Sequence, residues 1–205
     1  MKILVTEANR KMGQEIIKEA LSRSIEVVGV ALHPEKFTNE IEFIEKDIVN
    51  LTLEDIESFD VVINAVHFPK DAQQHIENTK HLINLLEQTQ TRLIEIASPT
   101  NLYQDSTRKK QVADRLLFKF SNITKSEIES FQLLLNSYNF DWLYIALYST
   151  LDSPLVDSIG KYVIGSDYVP KNHFAISFED TAIMIVDQIN NPSTNKSVIS
   201  VWGVE

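Results

Sequence analysis

The sequence predicts an α/β fold: a doubly wound parallel sheet flanked by helices, with a small lobe on the substrate side near the C-terminal end. Three observations predict it. Apolar runs of strand length recur along the chain, at residues 3–5, 24–31, 60–66 and 92–97. Between them lie stretches whose apolar positions repeat every three or four residues, as one face of a helix does. The runs are continuous rather than alternating, which suits strands covered on both faces and joined by helical crossovers. The 205 residues are expected to form one domain, 1–205, with the lobe at about 149–175 inside it.

The organising stretch is residues 1–21, MKILVTEANRKMGQEIIKEAL. Ile3, Leu4 and Val5 make the first strand, and Met12, Ile16, Ile17, Ala20 and Leu21 form the apolar face of the helix that follows. Residues 24–31 are the second strand, and His33-Pro34 turns the chain. Residues 41–44 are a weaker third strand. Residues 52–58 suit a short helix, with Thr52 or Asn50 as its cap. Residues 60–66, DVVINAV, are the clearest strand, and Pro69 marks its exit. A long helix is predicted over 71–88 and a strand over 92–97.

Residues 98–110 are polar. A helix is predicted over 111–120, and a second over 124–138, where Thr124 and Glu127 have the spacing of a capping box. Its face carries Ile128, Phe131, Leu134 and Leu135. Residues 140–148 read as an apolar strand leaving the main core. Gly160, Gly165, Pro154 and Pro170 break up the lobe. A helix over 178–189 and a strand over 197–202 close the pattern.

Charge and composition exclude several classes of function. A net charge of −10 argues against a broad surface for a nucleic-acid backbone. With no cysteine there is no disulfide, thiolate nucleophile or cysteine-based zinc site. The five histidines form no close ligand cluster, so no metal is expected. No apolar run approaches the roughly 20 residues that span a bilayer. The first residues turn polar after Thr6, too soon for a secretory leader, so no membrane role and a cytoplasmic location are expected.

The loop after the first strand is where such a fold receives phosphate. It keeps one glycine, Gly13, where helix and strand pack closely; Glu7 places a carboxylate on the expected phosphate path. Arg10 and Lys11, beside the helix start, offer cations that can hold a phosphate without the glycines. Alternatively, they are solvated loop charges. The end of the second strand offers Ala31, Leu32 and His33, which select neither the phosphorylated nor the unphosphorylated dinucleotide. Asp47 and Ile48 are placed to flank an adenine; alternatively, Asp47 is a simple turn aspartate.

At the other end of the expected cleft, Ala65, Val66 and His67 leave the central strand where a nicotinamide or another ligand would pass; in a reductase they would line the nicotinamide side with Ala97 and Ser98. The catalytic candidates are His67, Ser98 and Tyr103, each competing with a packing or turn role. A tyrosine followed four residues later by lysine would put a proton donor and a cation on one helix face, and none of the six tyrosines has that partner.

The whole pattern resembles the atypical short-chain dehydrogenase/reductase superfamily, in its small NAD(P)-binding group of NmrA-like and NADH-flavin reductase-like proteins. The N-terminal segment, HPEK, KDI, DVVINAV and RLIEIAS carry the resemblance, together with FDWLYIAL, GKYVIGSD and AISFEDTAIMIVDQINNP. It implies a Rossmann-like fold over nearly the whole chain and NAD(P) as cofactor. The family's GATGxxG loop falls on residues 7–13, so Glu7 and Arg10 stand where glycines are usual. The resemblance thus puts Asn9, Arg10, Lys11, Met12 and Gly13 at the cofactor, and Leu32 where an arginine is common. Gly160, Lys161, Tyr162 and Gly165 match the substrate-side lobe, and Ser177, Glu179 and Asp180 the start of a late helix.

Two functions are expected from this. One is a reductase passing hydride to a flavin, quinone or similar small electrophile. The other is a non-catalytic nucleotide sensor or protein-interaction adaptor on the same scaffold, motivated by the altered loop.

Overall fold

The computed structural model describes residues 1–33, 41–66, 71–116, 121–147, 157–171, 174–190 and 196–204. The strands are β1 (Lys2–Val5), β2 (Glu26–Val30), β3 (Glu42–Ile44), β4 (Val61–Asn64), β5 (Arg92–Ala97), β6 (Trp142–Leu147), β7 (Val163–Ile164) and β8 (Ser197–Trp202). The helices are α1 (Lys11–Ser22), α2 (Ala72–Leu86), α3 (Ala113–Leu116), α4 (Ser121–Leu135) and α5 (Phe178–Asn190).

The strands form one sheet in the order β3-β2-β1-β4-β5-β6-β8-β7, parallel except for β7 against β8. The chain winds from β1 out to β3, then crosses back to β4 and onward. Between β1 and β4 the winding direction reverses, and the crevice beyond their carboxyl ends is where folds of this kind take ligands. α1 and α5 cover one face of the sheet; α2 and α4 cover the other.

Period-two geometry assigns the side chains to these faces. Ile3, Val5, Ile63, Ile94, Ile96 and Ile145 meet Ile16 and Ile17 of α1 and Ile185 of α5, all fully buried. Leu4, Val62 and Leu93 meet Leu82 and Leu86 of α2 and Leu134 of α4. Each such side chain contributes about 1.5–3 kcal/mol by leaving water.

Several local expectations are corrected. Residues 52–58 form turns instead of a helix. Asp55 accepts from the Thr52 amide at 2.7 Å and hydroxyl at 2.9 Å, and it holds Lys46 at 2.6 Å. Seven residues are too few to repay helix nucleation when side chains satisfy the backbone in another way. α4 starts at Ser121, so Thr124 lies inside the helix and caps nothing; Glu127 is free for another role. Leu21 and Leu135 are exposed, because each apolar face is narrower than its sequence pattern. β6 does not leave the core but lies between β5 and β8, with all six residues buried. The predicted helix over 111–120 appears as α3, and residues 117–120 lie outside the described set.

Candidate functional site

The loop leaving β1 is held by the sheet: the Thr6 amide donates to the Ile63 carbonyl and the Ala8 amide to the Val30 carbonyl. Glu7 takes a left-handed conformation, φ 50°, at the turn where the resemblance places a glycine. Its carboxylate accepts from Arg10 Nε at 2.9 Å, so the two residues replacing glycines bind each other. A Cβ on Gly13 would sit 2.6 Å from the Glu7 carbonyl oxygen and 2.9 Å from Ala8 Cα. Backbone cannot yield there, which accounts for the one glycine this loop keeps.

α1 begins without a side-chain cap from Arg10 and with no acidic residue in its first turn. Its positive end is therefore open to an external anion. Lys11 Nζ reaches Glu15 at 2.5 Å and Glu179 at 3.0 Å, and these bonds raise its pKa above the ordinary lysine value. Met12 is buried under the helix.

A cleft of about 400 Å³ lies along the ends of β1 and β2, lined by Glu7, Asn9, Arg10, Leu32, His33, Lys46, Asp47 and Ile48 among others. The structure thus brings together most residues assigned from sequence to the adenosine half. Asn9 Nδ2 donates to the His33 carbonyl at 3.4 Å, Leu32 is half-exposed and Ile48 is buried. Asp47 accepts from the Ile48 amide at 2.7 Å and from Gln74 Nε2 at 3.3 Å, which fixes the carboxylate in the cleft wall.

Beyond β4 and β5, Ala65 is buried, and Val66 and Ala97 line a second, small cavity of about 20 Å³. Ser98 caps the 3-10 turn Pro99–Asn101. Its Oγ lies 2.7 Å from Glu127 Oε1 and 2.7 Å from Thr100 Oγ1, and Thr100 Oγ1 donates to Glu127 Oε2 at 2.6 Å. His67 lies outside the described residues. Tyr103 is bound into a short bridge: its amide donates to the Asp167 carbonyl and its carbonyl accepts from Val169, both at 2.9 Å. The backbone of Tyr103 thereby ties the loop after β5 to residues 167–169.

Sequence reasoning missed a polar row under this end. Thr6, Asn64, Glu95 and Tyr144 stand side by side on β1's exit, β4, β5 and β6, on the α2/α4 face. Thr6 Oγ1 donates to Asn64 Oδ1 at 2.8 Å, and Asn64 Nδ2 donates to both Glu95 oxygens at 3.0 and 2.9 Å. Burial pushes Glu95 up to about 8, against the lowering effect of Asn64. Burial alone drives His75, on α2, down to about 4. Burial also raises Glu127, opposed by its bonds from Thr100 and Ser98. The available signal was Glu95 itself, an acid in the middle of the apolar run RLIEIA.

The late-helix motif serves the frame. Ser177 Oγ accepts from the Asp180 amide at 2.9 Å, capping α5. Asp180 holds the Ser158 hydroxyl at 2.6 Å and the amides of Ile159 and Gly160 at 3.2 and 2.9 Å. The Tyr162 hydroxyl donates to Asp187, which also binds Arg23 at 2.5 Å.

A family model described as NAD(P)H-binding matches residues 8–192. The chain belongs to this NAD(P)H-binding family. YwnB of Bacillus subtilis strain 168, named as uncharacterised, is 30% identical over 200 residues, 94% of this chain and 93% of YwnB. The solved structure of SP1627 from Streptococcus pneumoniae TIGR4, whose name proposes an NADH-flavin reductase, matches with a TM-score of 0.85 at 26% identity, covering both chains fully. ChuY of Escherichia coli O157:H7, an anaerobillin reductase, shares the fold with a TM-score of 0.74 at 17% identity, over 98% of this chain and 97% of its own. Among the described residues, no helix is long and apolar enough to cross a membrane, and no three His, Asp or Glu side chains group as metal ligands.

Proposed function

We propose that this member of the NAD(P)H-binding family is a reductase that passes hydride from a nicotinamide cofactor to a small electrophile of the flavin or quinone kind. The observation that carries the reading is the uncapped start of α1 beside the 400 Å³ cleft, and the Ser98–Glu127 pair after β5 offers a hydroxyl donor. The residues present fit the cofactor. A helix start without a cap accepts phosphate, and the volume is that of a small-molecule site. Asn9, Arg10, Lys11, Met12 and Gly13 would hold the phosphates. Leu32, His33, Asp47 and Ile48 would hold the adenosine; Ala65, Val66, His67, Ala97 and Ser98 would face the nicotinamide. The bound cofactor supplies the hydride. The protein's part is to orient the two partners, exclude water and provide a proton.

The Glu7–Arg10 pair favours a second reading, a nucleotide sensor or adaptor, because it occupies the turn that phosphate approaches. Calorimetric titration with NADH and NADPH tests both. The reductase reading expects saturable binding and cofactor-dependent reduction of flavin mononucleotide or menadione. The variant Glu7→Gly is expected to bind more tightly, since it removes a carboxylate from the phosphate path, frees Arg10 and restores the turn's freedom. No binding at millimolar cofactor would overturn the reductase reading; binding without turnover would favour the sensor.

A further inference from the structure

We infer that Glu127 stores the proton that Ser98 delivers to the acceptor, and that the acceptors this site suits are those whose reduction leaves a charged oxygen, such as quinones. The inference rests on the reductase reading above. It is carried by a closed triangle of hydrogen bonds in which Ser98 Oγ, Thr100 Oγ1 and the two Glu127 oxygens lie 2.6–2.7 Å apart.

The triangle has two states with different consequences. An ionised Glu127 is an acceptor only and draws the hydrogens of both hydroxyls inward, leaving Ser98 nothing to donate to a bound acceptor. A neutral Glu127 donates its own O–H to Ser98 Oγ, and the Ser98 hydrogen is then released to point outward. Protonation of Glu127 therefore decides whether Ser98 is a donor. Glu127 is a positioning residue acting through Ser98, at the helix where no tyrosine–lysine pair stands.

A second observation is the cavity beside the triangle, about 20 Å³ and roomy enough for about one water. Glu127 lines it with Glu95 of β5, His75 and Thr79 of α2, Tyr144 of β6 and Ser130 of α4, and its lining has no lysine or arginine. Ser130 Oγ is buried with no hydrogen-bond partner among the described residues. Two carboxyl groups against one cavity without a cation favour the neutral form of each. His75 is held neutral by the same burial, so it supplies no counter-charge.

The proton accounting is short. An acceptor that has gained a hydride carries negative charge on oxygen. The Ser98 O–H bond breaks toward that oxygen as the Glu127 O–H bond breaks toward Ser98 Oγ. Ser98 ends as it began, Glu127 is left a carboxylate, and water reprotonates it.

The test compares wild type, Glu127→Gln and Glu127→Asp, with menadione as acceptor. Glu127→Gln keeps the side chain's size and is expected to lower kcat about 100-fold, the usual worth of a general acid, with KM little changed. Wild-type kcat should fall as pH rises through the ionisation of Glu127, and Glu127→Gln should lack that limb. Glu127→Asp should recover part of the rate and the limb. On the ligand-free protein, infrared difference spectra across a pH titration should show a protonated-carboxyl band that persists above the range of an exposed glutamate, is lost in Glu127→Gln and is kept in Glu95→Gln. Wild-type kcat and pH profile in Glu127→Gln, or no such band, would overturn the assignment. If calorimetry finds no nicotinamide binding while the band is present, the delivery step falls with the reductase reading, although the proton store is real.

Discussion

The two faces of the sheet are built on opposite principles. On the α1/α5 face, isoleucines and valines of β1, β4, β5 and β6 meet Ile16, Ile17 and Ile185, and the buried polar side chains Asp180, Thr181 and Gln188 belong to α5 and not to those strands. On the α2/α4 face the packing is apolar under Leu82, Leu86 and Leu134, then turns polar toward the carboxyl ends of the strands. There Thr6, Asn64 and Glu95 lie beneath a helix whose own buried residues are His75, Asn78 and Thr79. Buried polar groups cost free energy unless paired, and a buried charge costs more. The dry face supplies stability; the wet end of the other face holds titratable groups around the small cavity. The difference separates residues kept for folding from residues whose chemistry outweighs their cost.

The largest break in this comparison should come from the dry face. Ile17→Ala is expected to cost about 3 kcal/mol in denaturant unfolding, since a fully buried isoleucine leaves a cavity. Its effect on nicotinamide affinity should be small. Gly13→Ala is expected to cost about 2 kcal/mol by overpacking, because the new Cβ meets backbone at 2.6 Å. That variant should also lose affinity, as the loop and helix start must shift.

The wet face should instead set the pH dependence of stability. Glu95 rises from its ordinary 4.5 to about 8, so between those values the folded chain holds a proton that the unfolded chain has released. Its contribution is complete below about 4.5 and is lost as pH rises toward about 8. His75 falls from 6.5 to about 4, so its neutral form is lost, and with it stability, as pH drops through that window. The two slopes oppose each other where the windows overlap. Above about 6.5 the decline due to Glu95 is no longer offset by His75. Glu95→Gln should flatten this alkaline decline by on the order of 1 kcal/mol, read from unfolding midpoints against pH.

The smallest effect is expected at the loop. Glu7→Gly relieves a left-handed φ worth about 1 kcal/mol but loses an exposed ion pair worth a few tenths. Thermal unfolding should therefore rise slightly, by less than any change above. A clear loss of stability would show that the Glu7–Arg10 contact organises the turn.

Much of the frame was legible in the residues. β5 and β8 fall on the predicted 92–97 and 197–202, and α5 starts at the predicted Phe178, with Ser177, matched to the start of that helix, as its cap. The candidate site was legible only in part. Asn9, Arg10, His33, Asp47 and Ile48 do line one cleft, yet nothing along the chain indicated that Glu7 would bind Arg10 or that Lys11 would reach Glu179. Glu127 was hidden by a better local explanation. Its spacing from Thr124 suited a cap, and only the earlier start of α4 freed it to meet Ser98, 29 residues away.

The sequence by itself determined the winding of the sheet, the core-facing residues of its strands and the close approach at Gly13. These follow from periodicity and sterics acting over a few neighbouring residues. Only the tertiary structure decided which charges neutralise one another and which acids lie together away from water. Those outcomes depend on partners brought together by strand order and helix packing, and no local pattern encodes the distance between them.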